Sequence, residues 1–250
     1  MSAYDRLRQA IEQEERAVLF TIIEGDAVGA HLLVLESGER VGSGVPDELV
    51  GQADELIRGH RNQILELGDR RVFAEVYGPP PRLFVYGAVD TANSLCAAAR
   101  LLGWRTIVAD ARGKFATPER IPSAEELIVA WPEEALARIK PDHATAIVVL
   151  THDDKFDVPA LKAALASEAF YVGALGSRRN QERRRERLVE AGVSEDEVDR
   201  IHGPCGLDVG AESQPETALS ILGEIVAVRN GREGGSLKQS KQRIHAEVAE

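Results

Sequence analysis

The order in which apolar runs and helical patterns follow one another along this chain changes at Gly78-Pro79-Pro80-Pro81. Before it, Leu7, Ala10 and Ile11 stand at the i, i+3, i+4 spacing of an amphipathic helix and predict one over Ala3–Glu15. Two β-rich runs follow, Ala17–Ile23 and Ala27–Leu35, joined by the turn-forming spacer Glu24-Gly25-Asp26, which predicts an antiparallel hairpin. Past Gly42-Ser43-Gly44 and Pro46, the residues Leu49, Val50, Ala53, Leu56 and Ile57 repeat at helical spacing and predict a helix over Asp47–His60. Arg71–Tyr77 then predicts another strand. Together these make a small α+β domain over residues 1–78. The prolines at 79–81 form a stiff, extended joint, a natural domain boundary.

From Arg82 onward strand and helix patterns alternate, the signature of a parallel sheet with crossover helices. Strands are expected at Leu83–Tyr86, Thr106–Ala109, Glu126–Val129, Ala146–Leu150 and Phe170–Val172. Helices are expected at Thr91–Leu102, Pro132–Ile139, Pro159–Ala166, Asn180–Glu190 and, most apolar of all, Gln214–Arg229. The fold class is therefore α/β, a Rossmann-like doubly wound parallel sheet over residues 82–230 with strand order 3-2-1-4-5. Gly234-Gly235-Ser236 releases a polar tail within 231–250, expected to be mobile or a stray helix over Leu237–Glu250.

Composition narrows the function classes. A net charge of −11 argues against nonspecific nucleic-acid binding, which needs a basic surface. No apolar run approaches the length of a membrane span, and the charged stretch Ser2–Arg16 is unlike a signal peptide, so a cytoplasmic location without membrane attachment is expected. Two cysteines, Cys96 and Cys205, offer neither a disulfide framework nor a Cys-x-x-Cys zinc site. The final helix carries apolar residues on more than one side, including Leu219, Val226 and Val228, and so points to self-association as a homodimer.

In a doubly wound sheet, ligands bind beyond the carboxyl ends of the strands where the winding direction reverses. Past the first strand of the second half lie Gly87, Ala88, Val89 and Asp90. A dinucleotide fingerprint would place glycines at 87, 89 and 92; alanine is accepted at 92, but Val89 stands where backbone must approach a pyrophosphate. Asp110, 23 residues past Gly87, suits a ribose hydroxyl or simply caps its loop, and Arg112 follows it. Past the fourth strand come Thr151 and His152, the latter a candidate hydrogen-bond donor, acid or base, metal ligand, or structural side chain. Asp153 or Asp154 can cap the next helix. Past the fifth, Gly173 through Gly176, Ser177, Arg178 and Arg179 make a phosphate cradle of backbone N–H groups and guanidinium forks, while Arg183, Arg184, Arg185 and Arg187 read as a solvated charge run. The loop His202-Gly203-Pro204-Cys205-Gly206-Leu207-Asp208 invites a metal, but a tight turn with Asp208 capping the final helix explains the same residues. No nucleophile-base arrangement is visible, and neither a catalytic residue nor a metal ligand is assigned.

Five stretches taken in order, Val85 to Asp90, Asp110 to Arg120, Thr151-His152-Asp153, Tyr171 to Arg179 and Gly203 to Ala211, resemble the XdhC/CoxI family. Members of that family are accessory factors for xanthine dehydrogenase and related molybdenum hydroxylases; they bind molybdenum cofactor and hand it to the apoenzyme. The resemblance implies the same here: an accessory factor rather than an enzyme, a molybdopterin cofactor held by the edge residues named above, a nucleotide left open as a further ligand, and an apo molybdenum hydroxylase as partner. Two departures stand out. The family's amino-terminal Gly-Ser-Leu-Gly-Gly-Gly with its cysteine is reduced to Gly42-Ser43-Gly44-Val45-Pro46, and Cys205 takes the place of an aliphatic residue. The competing classes are an NAD(P)-dependent oxidoreductase using His152 as acid, and a scaffold that binds no ligand.

Overall fold

The computed structural model describes residues 2–59 and 61–240. The chain forms two compact units, one running Pro80–Gly235 and the other Met1–Pro79 together with the chain from Ser236. Among the described residues no helix is long and apolar enough to cross a membrane.

The smaller unit is built from α1 (Ala3–Glu12), β1 (Ala17–Glu24), β2 (His31–Leu35), β3 (Arg40–Ser43), α2 (Asp47–Val50), α3 (Ala53–Gly59), β4 (Gln63–Leu67) and β5 (Arg70–Tyr77). Its strands form an antiparallel sheet in the order β3-β2-β1-β5-β4. Side chains alternate across a strand. Val18, Phe20 and Ile22 therefore pack with α2 and α3 on one face, while Ala17 and Leu19 pack with Ala3, Leu7 and Ala10 of α1 on the other. The expected hairpin is present, but its turn is longer. Ala27 (φ 65°) and Gly29 (φ 88°) take left-handed conformations that delay the second strand to His31. The helix expected over Asp47–His60 is broken after Val50 into α2 and α3, and its end at His60 lies outside the described residues. Two strands were not anticipated: β3 and β4 are short, and β3 has no buried residue to set an alternating pattern.

The larger unit contains β6 (Arg82–Tyr86), α4 (Asp90–Leu101), β7 (Arg105–Ala109), β8 (Glu126–Ile128), α5 (Pro132–Ile139), β9 (Thr145–Val149), α6 (Asp154–Leu165), β10 (Tyr171–Ala174), α7 (Arg178–Glu190), α8 (Glu195–Val198), β11 (Ile201–His202) and α9 (Gln214–Arg229). All six strands run parallel in the order β11-β10-β9-β6-β7-β8. The five expected strands keep the expected order, and the two-residue β11 adds an edge inside what reads as a loop. Strands buried on both faces need apolar residues throughout. Phe84, Tyr86, Ile107 and Ile147 enter the core with α5, α6 and α7, and Leu83, Val85, Val108 and Val148 enter the one with α4 and α9. Most of the apolar surface of α9 is used this way. Leu219 is the large apolar side chain it leaves exposed, so the ground for self-association shrinks to a small patch. Of the tail expected over Leu237–Glu250, the part beyond Ser240 lies outside the described residues.

Three boundaries differ from expectation for local reasons. β10 extends through Ala174, which places Gly173 within the strand. A Cβ there would fall 2.6 Å from the Tyr171 ring, so the missing side chain makes room for that ring. α6 starts at Asp154, ahead of Pro159, because Asp153 caps it by accepting from the Lys155 N–H at 3.2 Å. α7 starts at Arg178 under Ser177, whose Oγ accepts from the Asn180 N–H.

Arg184 departs furthest from expectation. Instead of belonging to a solvated run it is buried, and its guanidinium meets Asp157 Oδ2 at 2.8 Å, the Leu175 carbonyl at 3.0 Å and Gln181 Oε1 at 2.6 Å. Asp157, also buried, accepts a further bond from the Thr151 hydroxyl. Removing one partner of such a pair strands the other charge out of water. Arg184→Met is therefore expected to lower the unfolding free energy by about 3–5 kcal/mol. Combining it with Asp157→Leu should recover most of that loss; urea titrations of the two variants check the order.

Candidate functional site

The loops after β6 and β9 meet at the point where the winding direction reverses. Gly87 sits at φ 114°, and a Cβ there would come within 2.9 Å of Thr151 Cγ2 and 3.1 Å of its amide, so close approach of the two loops requires glycine. The Gly87 N–H donates to the Ala109 carbonyl at 2.8 Å. α4 opens immediately afterwards with Val89 at its cap position. Valine has no side-chain oxygen, so this 12-residue helix has no side-chain cap; the Ala92 N–H donates to the Val89 carbonyl at 2.8 Å, and the Asp90 and Thr91 N–H groups precede it at the helix start. Asp90, exposed in the first turn, lies 3.7 Å from Arg120.

Asp110 is almost fully buried at the end of β7. Oδ2 accepts from the Ala88 N–H at 3.0 Å and from Arg112 Nη2 at 2.8 Å; Oδ1 accepts from the Arg112 N–H and Nε, both at 2.9 Å. Burial pushes this carboxyl upward, but the Arg112 guanidinium and the two backbone N–H groups outweigh it and hold it below the usual carboxylate range. The Arg112 guanidinium lies 4.3 Å from the Phe115 ring centre and 5.5 Å from that of Phe156. Phe115 packs with the core on the α4 side and Phe156 with the core on the α6 side, so this one cation bridges both layers above the sheet. The two rings and the four accepted bonds explain Asp110 and Arg112 as a structural unit. A ribose hydroxyl would have to compete with them for the acid.

His152 is exposed one residue beyond buried Thr151, with Asp153 and Lys155 forming an ion pair of 3.1 Å beside it. Beyond β10, Gly176 takes φ 146° and Ser177, Arg178 and Arg179 are exposed at the start of α7. The remaining arginines of α7 are all paired: Arg183 and Arg187 with Asp154, Arg184 with Asp157, and Arg185 with Glu195 and Asp199. Among the described residues Arg178 and Arg179 have no carboxylate partner.

The third loop, His202 to Asp208, is held by α9. Glu224 Oε2 accepts from the Tyr171 hydroxyl at 2.5 Å and from the Gly206 N–H at 2.8 Å, while Oε1 lies 3.2 Å from His202 Nδ1. Burial raises the Glu224 carboxyl, yet His202, Tyr171 and Gly206 together bring it below its ordinary range. His202 stacks on Tyr171 with ring centres 4.6 Å apart. Gly206 (φ 113°) passes so close to α9 that a Cβ would meet Ser220 Oγ at 2.5 Å. Asp208 does not cap the final helix. Ser213 does, in a capping box with Glu216, and Asp208 stays exposed. Cys205 is buried and its thiol is pushed up to about 12, chiefly by burial, so it stays protonated at neutral pH. Among the described residues no group of histidines, cysteines and carboxylates is arranged to hold a metal.

The carboxyl edge of the sheet thus gathers Gly87 to Asp90, Thr151 and His152, and Ser177 to Arg179, with Asp110 and Arg112 pinned between layers. Gly173 is set within the strand and Gly206 under α9. Sequence reasoning passed over Glu224, the one carboxylate inside the apolar run of α9. It also passed over Asp157, Arg184 and the aromatic cluster around Phe156.

A doubly wound α/β domain with six parallel strands defines the class. The chain belongs to the XdhC family: the family model of the XdhC Rossmann domain matches residues 83–225. It is 33% identical over 171 residues to the uncharacterized protein YqeB of Escherichia coli (strain K12), covering 67% of this chain and 31% of that one. It is 31% identical over 158 residues to a probable xanthine dehydrogenase subunit of Bacillus subtilis (strain 168), covering 63% and 46%. The molybdenum cofactor insertion chaperone PaoD of Escherichia coli (strain K12) is 31% identical over 160 residues, covering 64% and 44%. The chain therefore spans less than half the length of these curated relatives. A crystal structure of a xanthine dehydrogenase from Bacillus halodurans shares the fold, with a TM-score of 0.66 and 24% identity over 91% of this chain and 66% of that one.

Two expectations follow. Asp110 has its carboxyl lowered by folding, so its stabilisation is complete above the unfolded value near 3.9 and is lost as pH falls through the lower folded value. Asp110→Asn is expected to cost roughly 2–3 kcal/mol at pH 7. In urea titrations the gap to the parent should stay constant down to about pH 5 and close only below about pH 4. Cys205→Ala should fold normally and lose no more than about 1 kcal/mol, as a small buried apolar substitution does. Loss of ligand binding by that variant in a well-folded state would return the thiol to the site.

Proposed function

We propose that this chain binds molybdenum cofactor at the carboxyl edge of its parallel sheet and delivers it to an apo molybdenum hydroxylase of the xanthine dehydrogenase type. The observation that carries the reading is the contrast along α7: four of its arginines are tied to carboxylates, and the two at its N-terminus, Arg178 and Arg179, have no carboxylate partner among the described residues. Unpaired guanidinium groups beside free helix N–H groups suit a phosphate. Ser177 caps the helix by accepting from the Asn180 N–H, and Gly176 makes the turn into it at φ 146°. Membership of the XdhC family and the likeness to PaoD support the choice of molybdopterin as the phosphate-bearing ligand.

Bound, the cofactor supplies the redox metal for its eventual client; this chain needs only to hold and release it. Arg178 and Arg179 would take the phosphate, His152 would face the crevice from the neighbouring loop, and the N-terminus of α4 would meet further negative charge. Cys205 is buried and protonated and is given no part in holding the cofactor. A dinucleotide-dependent oxidoreductase is the weaker alternative, because Val89 stands where a pyrophosphate needs glycine and Asp110 is already engaged by Ala88 and Arg112.

Each arginine removed should weaken cofactor binding about tenfold to a hundredfold, the worth of one charge-assisted hydrogen bond. Lysine should restore it in part, since a point charge does not reproduce the planar fork. Titrating Arg178→Ala and Arg179→Ala with molybdopterin, alongside thermal unfolding, is the test. Parental affinity in both variants at moderate salt would sink the reading.

A further inference from the structure

The chain has two tryptophans in quite different settings: Trp104 is 3% exposed and Trp131 is 50% exposed. Trp131 stands just past β8 at the cap position of α5 and makes no capping hydrogen bond. The rest of α5 is conventional, with Pro132 at its first position, Glu133 and Glu134 in its first turn and a left-handed Lys140 at its end. Only at the cap does the helix forgo the serine, threonine or aspartate that would stabilise it. A local rule broken by a large, half-exposed aromatic side chain marks a functional position more often than a structural one.

The ring is also held in place. Trp131 packs on Phe156 with ring centres 5.3 Å apart, and Phe156 packs on Tyr86 at 6.3 Å, which ties the indole to the end of β6. Val129, 58% exposed, extends the apolar ledge towards the loop bearing Arg112, whose Gly113 it approaches. Two cations reach the same cluster: Arg112 lies 5.5 Å and Lys155 4.8 Å from the Phe156 ring centre. Both also serve carboxylates, Arg112 with Asp110 and Lys155 with Asp153. The result is an anchored aromatic face, half-exposed and bordered by two ion-paired cations, at the carboxyl edge of the sheet.

We propose that Trp131 is the stacking platform for the planar ring of the ligand, a pterin, while Arg112 and Lys155 face the electron-rich oxygen atoms at the edge of that ring. The inference rests on the reading that a pterin binds at this edge, and it assigns the ring to a side chain on the opposite part of the edge from Arg178 and Arg179. Stacking on an aromatic side chain depends on its π face rather than on its polar atoms, which sets the pattern across variants.

The probe is 6-hydroxymethylpterin monophosphate, titrated by calorimetry into the full chain. Trp131→Ala should weaken binding roughly fivefold to a hundredfold, whereas Trp131→Phe, which keeps a π face, should stay within about threefold of the parent. Trp131→Ser restores an oxygen at the cap of α5, so its thermal midpoint should match or exceed that of the alanine variant while its affinity falls equally. Parental affinity in both Trp131→Ala and Trp131→Ser overturns the platform but leaves the cofactor reading standing. If those variants bind the probe normally yet fail to activate an apo hydroxylase, Trp131 is a client contact and the platform is again overturned. If the parent itself binds neither this probe nor molybdopterin, the cofactor reading and the platform fall together.

Discussion

Two full charges taken out of water, Asp157 and Arg184, fix the frame on which the candidate site is mounted. Desolvating such a pair is costly, and it persists only where every remaining hydrogen-bonding position is filled. Here Arg184 reaches a carboxylate, a backbone carbonyl and an amide oxygen, and Asp157 receives the Thr151 hydroxyl as well. These partners come from the loop after β9, from α6, from the segment after β10 and from α7. The pair thereby locks four successive pieces of chain at one corner of the sheet. Arg178 and Arg179 lie less than two turns upstream of Arg184 on the same helix, so their positions are set by a buried contact they do not share.

The same device recurs at the other loops. Asp110 fastens the turn after β6 to the loop after β7, and Glu224 fastens the loop after β11 to α9 and Tyr171. In each case one carboxylate collects backbone N–H and side-chain donors: Ala88 and Arg112 for Asp110, and Gly206, Tyr171 and His202 for Glu224. Burial raises each acid and the hydrogen bonds lower it further, so both remain ionised and engaged at neutral pH. Loops otherwise free to move are thus ordered before any ligand arrives, which reduces the entropy that binding must overcome.

Much of this architecture is legible in the sequence because apolar runs report it directly. The five longer parallel strands and the crossover helices follow from residues buried on both faces of a sheet, as in Arg82–Tyr86 and Thr145–Val149. What escapes is polar structure whose meaning depends on a distant partner. Arg184 looks like its neighbours Arg183 and Arg185 until α6 brings Asp157 beneath it. Asp208 has the composition of a cap, but the capping box at Ser213 and Glu216 lies nearer the helix. The short strands β3 and β11 carry no periodic signal, since four and two residues hold too little alternation to distinguish strand from loop. The site residues on the first and fourth loops were placed by topology, whereas Trp131 was hidden because an aromatic before proline reads as ordinary punctuation.

The shifted groups that the core buries serve packing and anchoring. A general acid or base works best when it titrates near the operating pH. Six buried or half-buried groups of the larger unit move the other way. Burial raises the hydroxyls of Tyr86 and Tyr171 and the thiols of Cys96 and Cys205, while hydrogen bonds lower the carboxyls of Asp110 and Glu224. All six sit in packing or anchoring roles. Arg178 and Arg179, which have no carboxylate partner among the described residues, and the half-exposed indole of Trp131 stand past different strands of the same sheet edge. If the proposed cofactor sets its phosphate against the arginines and its ring against the indole, the first contact is ionic and the second is stacking. The two ends should then respond to salt in opposite measure, with the arginine end weakening as ions screen it and the tryptophan end holding.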